Sequence, residues 1–127
     1  MAALLALTAP APPPAPQLSG VWRNPYDTLE VRTGPCGMDV CGWVVWAAPA
    51  AIADARYDGD DALLGQLLLH GFRPDGAGAW RGGVTLPGHP VSIRATLTVF
   101  DGVRLREHGC LLSGLLCRTQ IWRHVGS

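Results

Sequence analysis

The sequence contains no lysine, and its ten basic side chains other than histidine are all arginines. Ten acidic residues balance them, so the formal net charge is zero, and neither sign is collected into a block. A nucleic-acid-binding protein needs a basic stripe that displaces counterions from phosphates, and a membrane-surface module needs a polybasic segment. The charge pattern therefore argues against both classes. The lack of lysine beside abundant alanine, glycine and proline is typical of biased coding and carries no chemistry.

Long apolar stretches are also missing. Residues 1–9, MAALLALTA, are mostly apolar, but a membrane-spanning helix takes about 20 residues, so no integral membrane span is predicted. The small residues around Ala9 and Ala11 resemble the end of a secretory signal. Residues 10–16, PAPPPAP, favour extended polyproline because proline lacks an amide hydrogen and has a fixed φ. We predict that residues 1–17 are a remnant export signal and a disordered proline-rich linker, and that residues 18–127 form one domain.

The four cysteines are Cys36, Cys41, Cys110 and Cys117. An even number in a small β-rich chain indicates two disulfides and an oxidising compartment, so a periplasmic or secreted location is expected. Three pairings are possible. The local pairing, Cys36–Cys41 with Cys110–Cys117, is favoured because each pair encloses a short glycine-containing segment. Zinc is the less favoured alternative, because structural zinc cysteines are usually separated by about two to four residues, whereas these pairs enclose four and six.

Short alternating strands separated by turn residues account for most of the remaining chain. The clearest covers residues 91–100, where every second residue from Val91 to Val99 is apolar. Asp101-Gly102 then gives a strong hairpin signal, and residues 103–110 alternate again with Val103 and Leu105 facing inward. Gly34-Pro35 is predicted to be a turn, and residues 49–64 a connecting loop that could include a helical turn. Further strands are predicted at residues 19–23, 28–33, 42–47, 66–72, 80–86 and 118–125.

This pattern gives about eight strands joined by hairpin-length turns, with no helix long enough for a crossover. Such strands form an antiparallel meander, and closing the meander into a barrel removes its exposed edges. An eight-stranded barrel is just wide enough to be filled by side chains or to hold one small ligand. The predicted fold class is therefore all-β, a single antiparallel meander closed into a barrel of about eight strands.

Five tryptophans raise the question of a binding pocket, since aromatic side chains line many small-molecule sites. Trp22 and Trp122 lie on the first and last predicted strands and are expected to pack in the core. Trp43 and Trp46 are expected to face opposite sides of their strand, so that at most one of them lines an interior cavity. The candidate ligand-binding residues are Trp43, Trp46, Trp80, Phe72 and Arg94.

Residue patterns typical of catalysis or metal binding are missing. The histidines contain no His-x-His or His-Glu-x-x-His pattern. Glu107 and His108 are adjacent, but neighbouring residues on a strand point to opposite faces and cannot readily act together. No serine lies in a Gly-x-Ser-x-Gly context. We therefore expect no catalytic residues, no metal and no cofactor.

Four short motifs follow one another across residues 18–124. They are Gly20-Val21-Trp22, the segment CGWVVW at residues 41–46, WRGG at residues 80–83, and TQIWR at residues 119–123. In this order and spacing the chain resembles domain-of-unknown-function family 2147, small exported bacterial proteins. The resemblance implies a lipocalin-like, calycin-type barrel, and members of that family have no settled biochemical function.

Two functional hypotheses follow. The first is an exported, non-enzymatic barrel that binds a small apolar or amphipathic ligand. The alternative is a structural or protein-interaction module of the cell envelope, with a solid core and an apolar outer patch on the strand that contains Trp43. The oligomeric state is left open by the sequence.

Overall fold

One antiparallel sheet of eight strands closes into a barrel in the computed structural model, which describes residues 18–76, 78–87, 91–111 and 114–127. The strands follow chain order around the barrel, and the first pairs with the last. The predicted fold class is confirmed, whereas the predicted export signal and linker at residues 1–17 lie outside the described residues. The elements are β1 Gly20–Arg23, β2 Leu29–Cys36, β3 Asp39–Ala47, α1 Pro49–Tyr57, β4 Leu67–Pro74, β5 Ala79–Thr85, β6 Ser92–Phe100, β7 Arg104–Leu111 and β8 Leu116–Gly126.

The core follows from the two-residue alternation of the strands. On β6 the buried side chains are Ala95, Leu97 and Val99, while the residues between them are partly or fully exposed. Val99 is paired with Leu105 on β7, and Leu105 is paired with Trp122 on β8. Because paired residues of neighbouring strands share a face, these side chains form one continuous interior surface.

One end of the barrel, termed here the closed end, carries the β2–β3, β4–β5 and β6–β7 hairpins and the residues that precede β1. Trp22 is buried there, and its indole Nε1 donates a hydrogen bond to the Leu18 carbonyl at 2.9 Å. The Thr33 hydroxyl donates to the same carbonyl. His124 stacks edge-on against the Trp22 ring at 5.0 Å. Trp22 and Trp122 are both buried in the core, as predicted.

The opposite end, termed the helix end, carries α1 in the connection between β3 and β4. The predicted connecting loop is therefore wrong over Pro49–Tyr57. Pro49 is compatible with a helix start because the first helical amide has no partner within the helix. Ala55 is buried, and Ile52 packs against the core, which supplies the tertiary contact that so short a helix needs. No helix in the described ranges is long and apolar enough to cross a membrane.

One hairpin differs from its predicted position, and a second has a longer loop than predicted. The predicted turn at Gly34-Pro35 is wrong: β2 continues to Cys36, which pairs with Asp39 across a turn where Gly37 has φ +65°. The glycine that can adopt positive φ, rather than the Gly-Pro signal, sets the turn. The Asp101-Gly102 hairpin is confirmed, with φ of 57° and 70° at these residues. Its loop also contains Val103, which is exposed rather than inward as predicted.

A bulge in β3 overturns the prediction that Trp43 and Trp46 face opposite sides. Val31 pairs with Val44 and the preceding residue of β2 pairs with Trp46, so Val45 is an extra residue in the ladder. An extra residue reverses the alternation beyond it. Both tryptophans therefore lie on the outer face, and the Arg23 guanidinium lies 4.9 Å from the centre of the Trp46 ring.

Replacing Gly82 with alanine tests the packing of β4 against β5. A Cβ at this position would lie 2.7 Å from Cγ of Phe72 and 2.9 Å from the backbone oxygen of His70. We expect Gly82→Ala to lower the free energy of unfolding by about 2 kcal/mol, because overpacking forces the neighbours to move. Urea unfolding followed by tryptophan fluorescence measures the effect.

Gly109→Ala is the matched control, because its Cβ would meet nothing closer than Ile93 Cδ1 at 3.4 Å. Equal stabilities of the two variants would contradict the close approach of Phe72 to β5.

Candidate functional site

An interior cavity of about 190 Å³, partly open to solvent, lies at the helix end of the barrel. Its apolar wall includes Leu68, Val84 and Ile93, and polar side chains come mainly from β7 and β8. The lining residues are Asn24, Leu29, Leu68, Val84, Thr85, Leu86, Pro87, Ile93, Glu107, Gly109, Arg118, Gln120 and Trp122. Polar and apolar groups thus face each other across one small space.

The register of β7 and β8 explains why polar groups enter the barrel. Leu105 pairs with Trp122 in the apolar core, and the next inward pair towards the helix end is Glu107 with Gln120. One step further, Gly109 pairs with Arg118. The inward face of these two strands therefore changes from apolar to polar along its length, and Gly109, which has no side chain, leaves space at the same level.

Glu107 is the most perturbed acid in the described part of the chain. Burial raises the pKa of its carboxyl group from 4.5 to about 7. Among the described residues, no hydrogen bond or ion pair offsets this desolvation. The neighbouring His108 lies on the outer face with its Nδ1 2.8 Å from the Thr119 hydroxyl, so the two side chains are separated by the barrel wall, as predicted.

Trp122 lines the cavity and carries a buried hydrogen-bond donor that is unsatisfied among the described residues. It is 6% exposed, and its indole Nε1 has no hydrogen-bond partner among the described residues. A buried donor without a partner costs about 1–3 kcal/mol.

The structure does not bring the five sequence-predicted binding residues together, and none of them lines the cavity. Trp43 and Trp46 lie on the outer face of β3. Arg94 is exposed on the outside of β6. Phe72 is fully buried, and Trp80 packs partly buried against the core.

Sequence reasoning missed Glu107, Gln120 and Trp122 as cavity residues. The signal was available, because Glu107 is in phase with the inward Leu105 of the same strand, and Gln120 is in phase with Trp122. The depth of the Glu107–Gln120 pair inside the barrel could not be predicted, because it depends on the strand register.

A second polar cluster lies outside the barrel between β4, β5 and β6. His70 Nε2 is 3.1 Å from the Ser92 hydroxyl and 3.1 Å from the Thr85 hydroxyl. Gly83 makes room for this ring, since a Cβ there would be 2.3 Å from His70 Cε1. No carboxylate contacts His70 in the described ranges, so the cluster lacks the third group that usually orients a catalytic base.

Both predicted disulfides are confirmed. Cys36–Cys41 links β2 to β3 at the closed end, and Cys110–Cys117 links β7 to β8 at the helix end. Cys110 and Cys117 are direct cross-strand partners. Each bridge fastens one pair of adjacent strands.

A closed eight-stranded antiparallel barrel with one short helix and a cavity at one end defines a lipocalin-like protein. A search of solved structures finds the same fold in protein HP1028 from the human pathogen Helicobacter pylori, which belongs to the lipocalin family. The two chains are 10% identical with a TM-score of 0.65, and the match covers 87% of this chain and 84% of the other. No curated protein matches the chain significantly.

The chain belongs to the bacterial family described as "Uncharacterized protein conserved in bacteria (DUF2147)", whose model matches residues 20–124. This range contains all four of the motifs from which the resemblance was predicted, and it covers nearly all of the barrel.

Replacing Glu107 with glutamine tests the burial of its carboxyl group. The native pKa of about 7 lies above the unfolded value of 4.5. Below about pH 4.5 the carboxyl group is protonated in both the folded and the unfolded state, so its burial costs no ionisation energy. The free energy of unfolding then decreases as the pH rises through 7. We expect Glu107→Gln to remove this fall and to be more stable than the parent by about 3 kcal/mol near pH 8. Urea unfolding at a series of pH values measures it.

Asp61→Asn, which removes an exposed carboxylate, is the matched control and should follow the parent curve. If Glu107→Gln and the parent lose stability in parallel between about pH 5 and 8, the carboxyl group is not buried in the cavity.

Proposed function

We propose that this protein is an extracytoplasmic, non-enzymatic binding protein that holds one small amphipathic molecule in the cavity at the helix end. The observation that carries the proposal is the cavity itself, about 190 Å³ inside the barrel. It combines an apolar wall with two buried polar groups, on Glu107 and Trp122, that have no partner among the described residues.

The volume limits the size of the ligand. An apolar cavity of about 150 Å³ binds benzene, whereas drug-sized ligands occupy pockets of about 300–1,000 Å³. The cavity therefore suits a single ring or a short branched chain. A long acyl chain or a large cofactor would require the barrel to expand.

The polar groups limit the chemistry of the ligand. Trp122 Nε1 can donate a hydrogen bond but cannot accept one. An ionised Glu107 carboxylate accepts hydrogen bonds but cannot donate them. A hydroxyl group both accepts and donates, so one hydroxyl can serve either residue or bridge both. A neutral group also costs less to desolvate than an ion. The ligand class is accordingly a small apolar molecule with one hydroxyl group.

The absence of catalysis is part of the proposal. Acid–base catalysis commonly uses a histidine beside a carboxylate, with both side chains within reach of the same substrate. Glu107 lies inside the barrel, whereas His108 and His70 contact partners on the outside. These arrangements support binding rather than turnover in the cavity.

Benzyl alcohol and toluene form a matched pair of probes, since they share a ring and differ by the hydroxyl group. We expect the protein to bind benzyl alcohol about tenfold more tightly, because two added hydrogen bonds are worth about 1–3 kcal/mol together. Titration followed by the NMR signal of the Trp122 indole N–H measures both affinities.

Three variants locate the binding. Gly109→Leu fills the cavity and should abolish binding of both probes. Trp122→Phe should reduce the preference for the alcohol, while Trp46→Phe, which changes an outer-face ring, should leave both affinities unchanged. Undiminished binding to Gly109→Leu would refute the cavity as the site.

The proposed location rests on the two disulfides, because disulfides form and persist in oxidising compartments. We expect the full chain expressed in a bacterial host to be released with the periplasmic fraction by osmotic shock, with all four cysteines oxidised. A cytoplasmic protein with four alkylatable thiols would refute export, whatever the outcome of the ligand titrations.

A further inference from the structure

The outer face of β7 and β8 carries three metal-ligating side chains beside one another. His108 and Cys110 are two residues apart on β7 and therefore share a face. Cys117 lies directly opposite Cys110, and Thr119 lies directly opposite His108. One ring nitrogen of His108 and the two Sγ atoms all lie within 4.8 Å of one another.

The distance between two of these ligands already matches zinc coordination. Cys110 Sγ and His108 Nε2 are 3.6 Å apart. Tetrahedral zinc with Zn–S of about 2.3 Å and Zn–N of about 2.0–2.1 Å places sulfur and nitrogen about 3.6 Å apart. The imidazole therefore needs little movement to bind an ion together with the Cys110 sulfur.

A hydrogen bond orients the imidazole for this role. His108 Nδ1 is 2.8 Å from the Thr119 hydroxyl. When Nδ1–H donates to that oxygen, the lone pair of Nε2 is directed towards Cys110. Metal-binding histidines commonly use their second ring nitrogen in this way, and such partners raise metal affinity.

The other disulfide lacks these companions. Among the described residues, no third histidine, cysteine or carboxylate completes a metal-ligand group with Cys36 and Cys41. The nearby Asp39 is paired with Arg73 at 2.7 Å. Within the described part of the chain, one disulfide therefore has a preset third ligand and the other has none.

We propose that the Cys110–Cys117 disulfide is a redox-gated metal site, and that its reduction creates a Zn²⁺ site formed by Cys110, Cys117 and His108. A dithiol reductant supplies two electrons and two protons, the S–S bond breaks to give two thiols, and the dithiol becomes a disulfide. The separated sulfurs can then reach the spacing of about 3.8 Å that tetrahedral zinc requires. Zn²⁺ displaces the two thiol protons, which pass to solvent.

The surroundings give access to the site. Cys117 is exposed, and His108 and Cys110 line an open outer groove of about 490 Å³. Arg94, the β6 partner of Cys110, lines the same groove. Three protein ligands leave a fourth zinc position for water or a ligand from the groove. This site is separate from the interior cavity and does not depend on the proposed function.

The test is a titration of the full chain with Zn²⁺, before and after reduction by a phosphine, using a chromophoric chelator as competitor. We expect one equivalent to bind tightly to the reduced protein and at least tenfold more weakly to the oxidised protein. Substituting Co²⁺ should give the thiolate-to-metal charge-transfer absorption that only sulfur ligation produces.

Matched variants identify the ligands. The double variant Cys36→Ser/Cys41→Ser should keep the site, whereas Cys110→Ser/Cys117→Ser should lose it. His108→Ala and Thr119→Val retain both cysteine pairs and should each weaken binding of the reduced protein by about tenfold or more. His70→Ala, which removes another outer-face histidine, should have no effect.

The proposal is overturned if the reduced parent binds no zinc, if the Cys36–Cys41 pair rather than the Cys110–Cys117 pair is required, or if His108→Ala binds as the parent does. Far-ultraviolet circular dichroism checks that each variant is folded during its titration. If the Cys110→Ser/Cys117→Ser variant does not fold, zinc binding by reduced His108→Ala tests the proposal.

Discussion

The pairing of β1 with β8 is the constraint on which the barrel depends. β1 has four residues, yet it covers the edges of both β2 and β8, which would otherwise present unpaired backbone groups. Trp22 lies in this strand, and its ring is buried while its indole N–H bonds to Leu18. The residue that anchors the closing strand therefore also fills the closed end, so closure of the sheet and formation of the core are one event.

Closure of the sheet fixes the interior volume of the barrel, and different kinds of side chain occupy that volume at the two ends. The closed end is packed with apolar side chains such as Trp22 and Phe72, both buried. At the helix end the inward positions of β7 and β8 become Glu107, Gln120 and Arg118, which cannot pack as an apolar core. Burying Glu107 opposes stability at neutral pH. Local violations of packing rules of this kind are expected where a protein binds something.

Alternation in the sequence was sufficient to predict the eight strands and the barrel, and cysteine spacing was sufficient for the disulfide pairing. Features that depend on register were not predictable. The extra residue Val45 reverses the face of Trp46, and it can be recognised only against β2. Likewise, the contacts of His70 with Ser92 and of His108 with the disulfide arise from pairing between strands. The sequence left a helical turn open within residues 49–64, but not the nine-residue helix α1, because so short a helix is marginal without packing against the core.

The placement of the two disulfides has a consequence for how the chain folds. Each joins cysteines only 5 or 7 positions apart in sequence, so each restricts a short loop of the unfolded chain. The β1–β8 pairing joins Trp22 to His124. These residues are separated by nearly the full length of the described chain, and neither disulfide links β1 to β8. The chain must lose the conformational entropy of a long loop before the contacts of such a distant pairing can stabilise it. The crosslinks therefore pre-order two local strand pairs and leave the conformational search for ring closure almost unchanged.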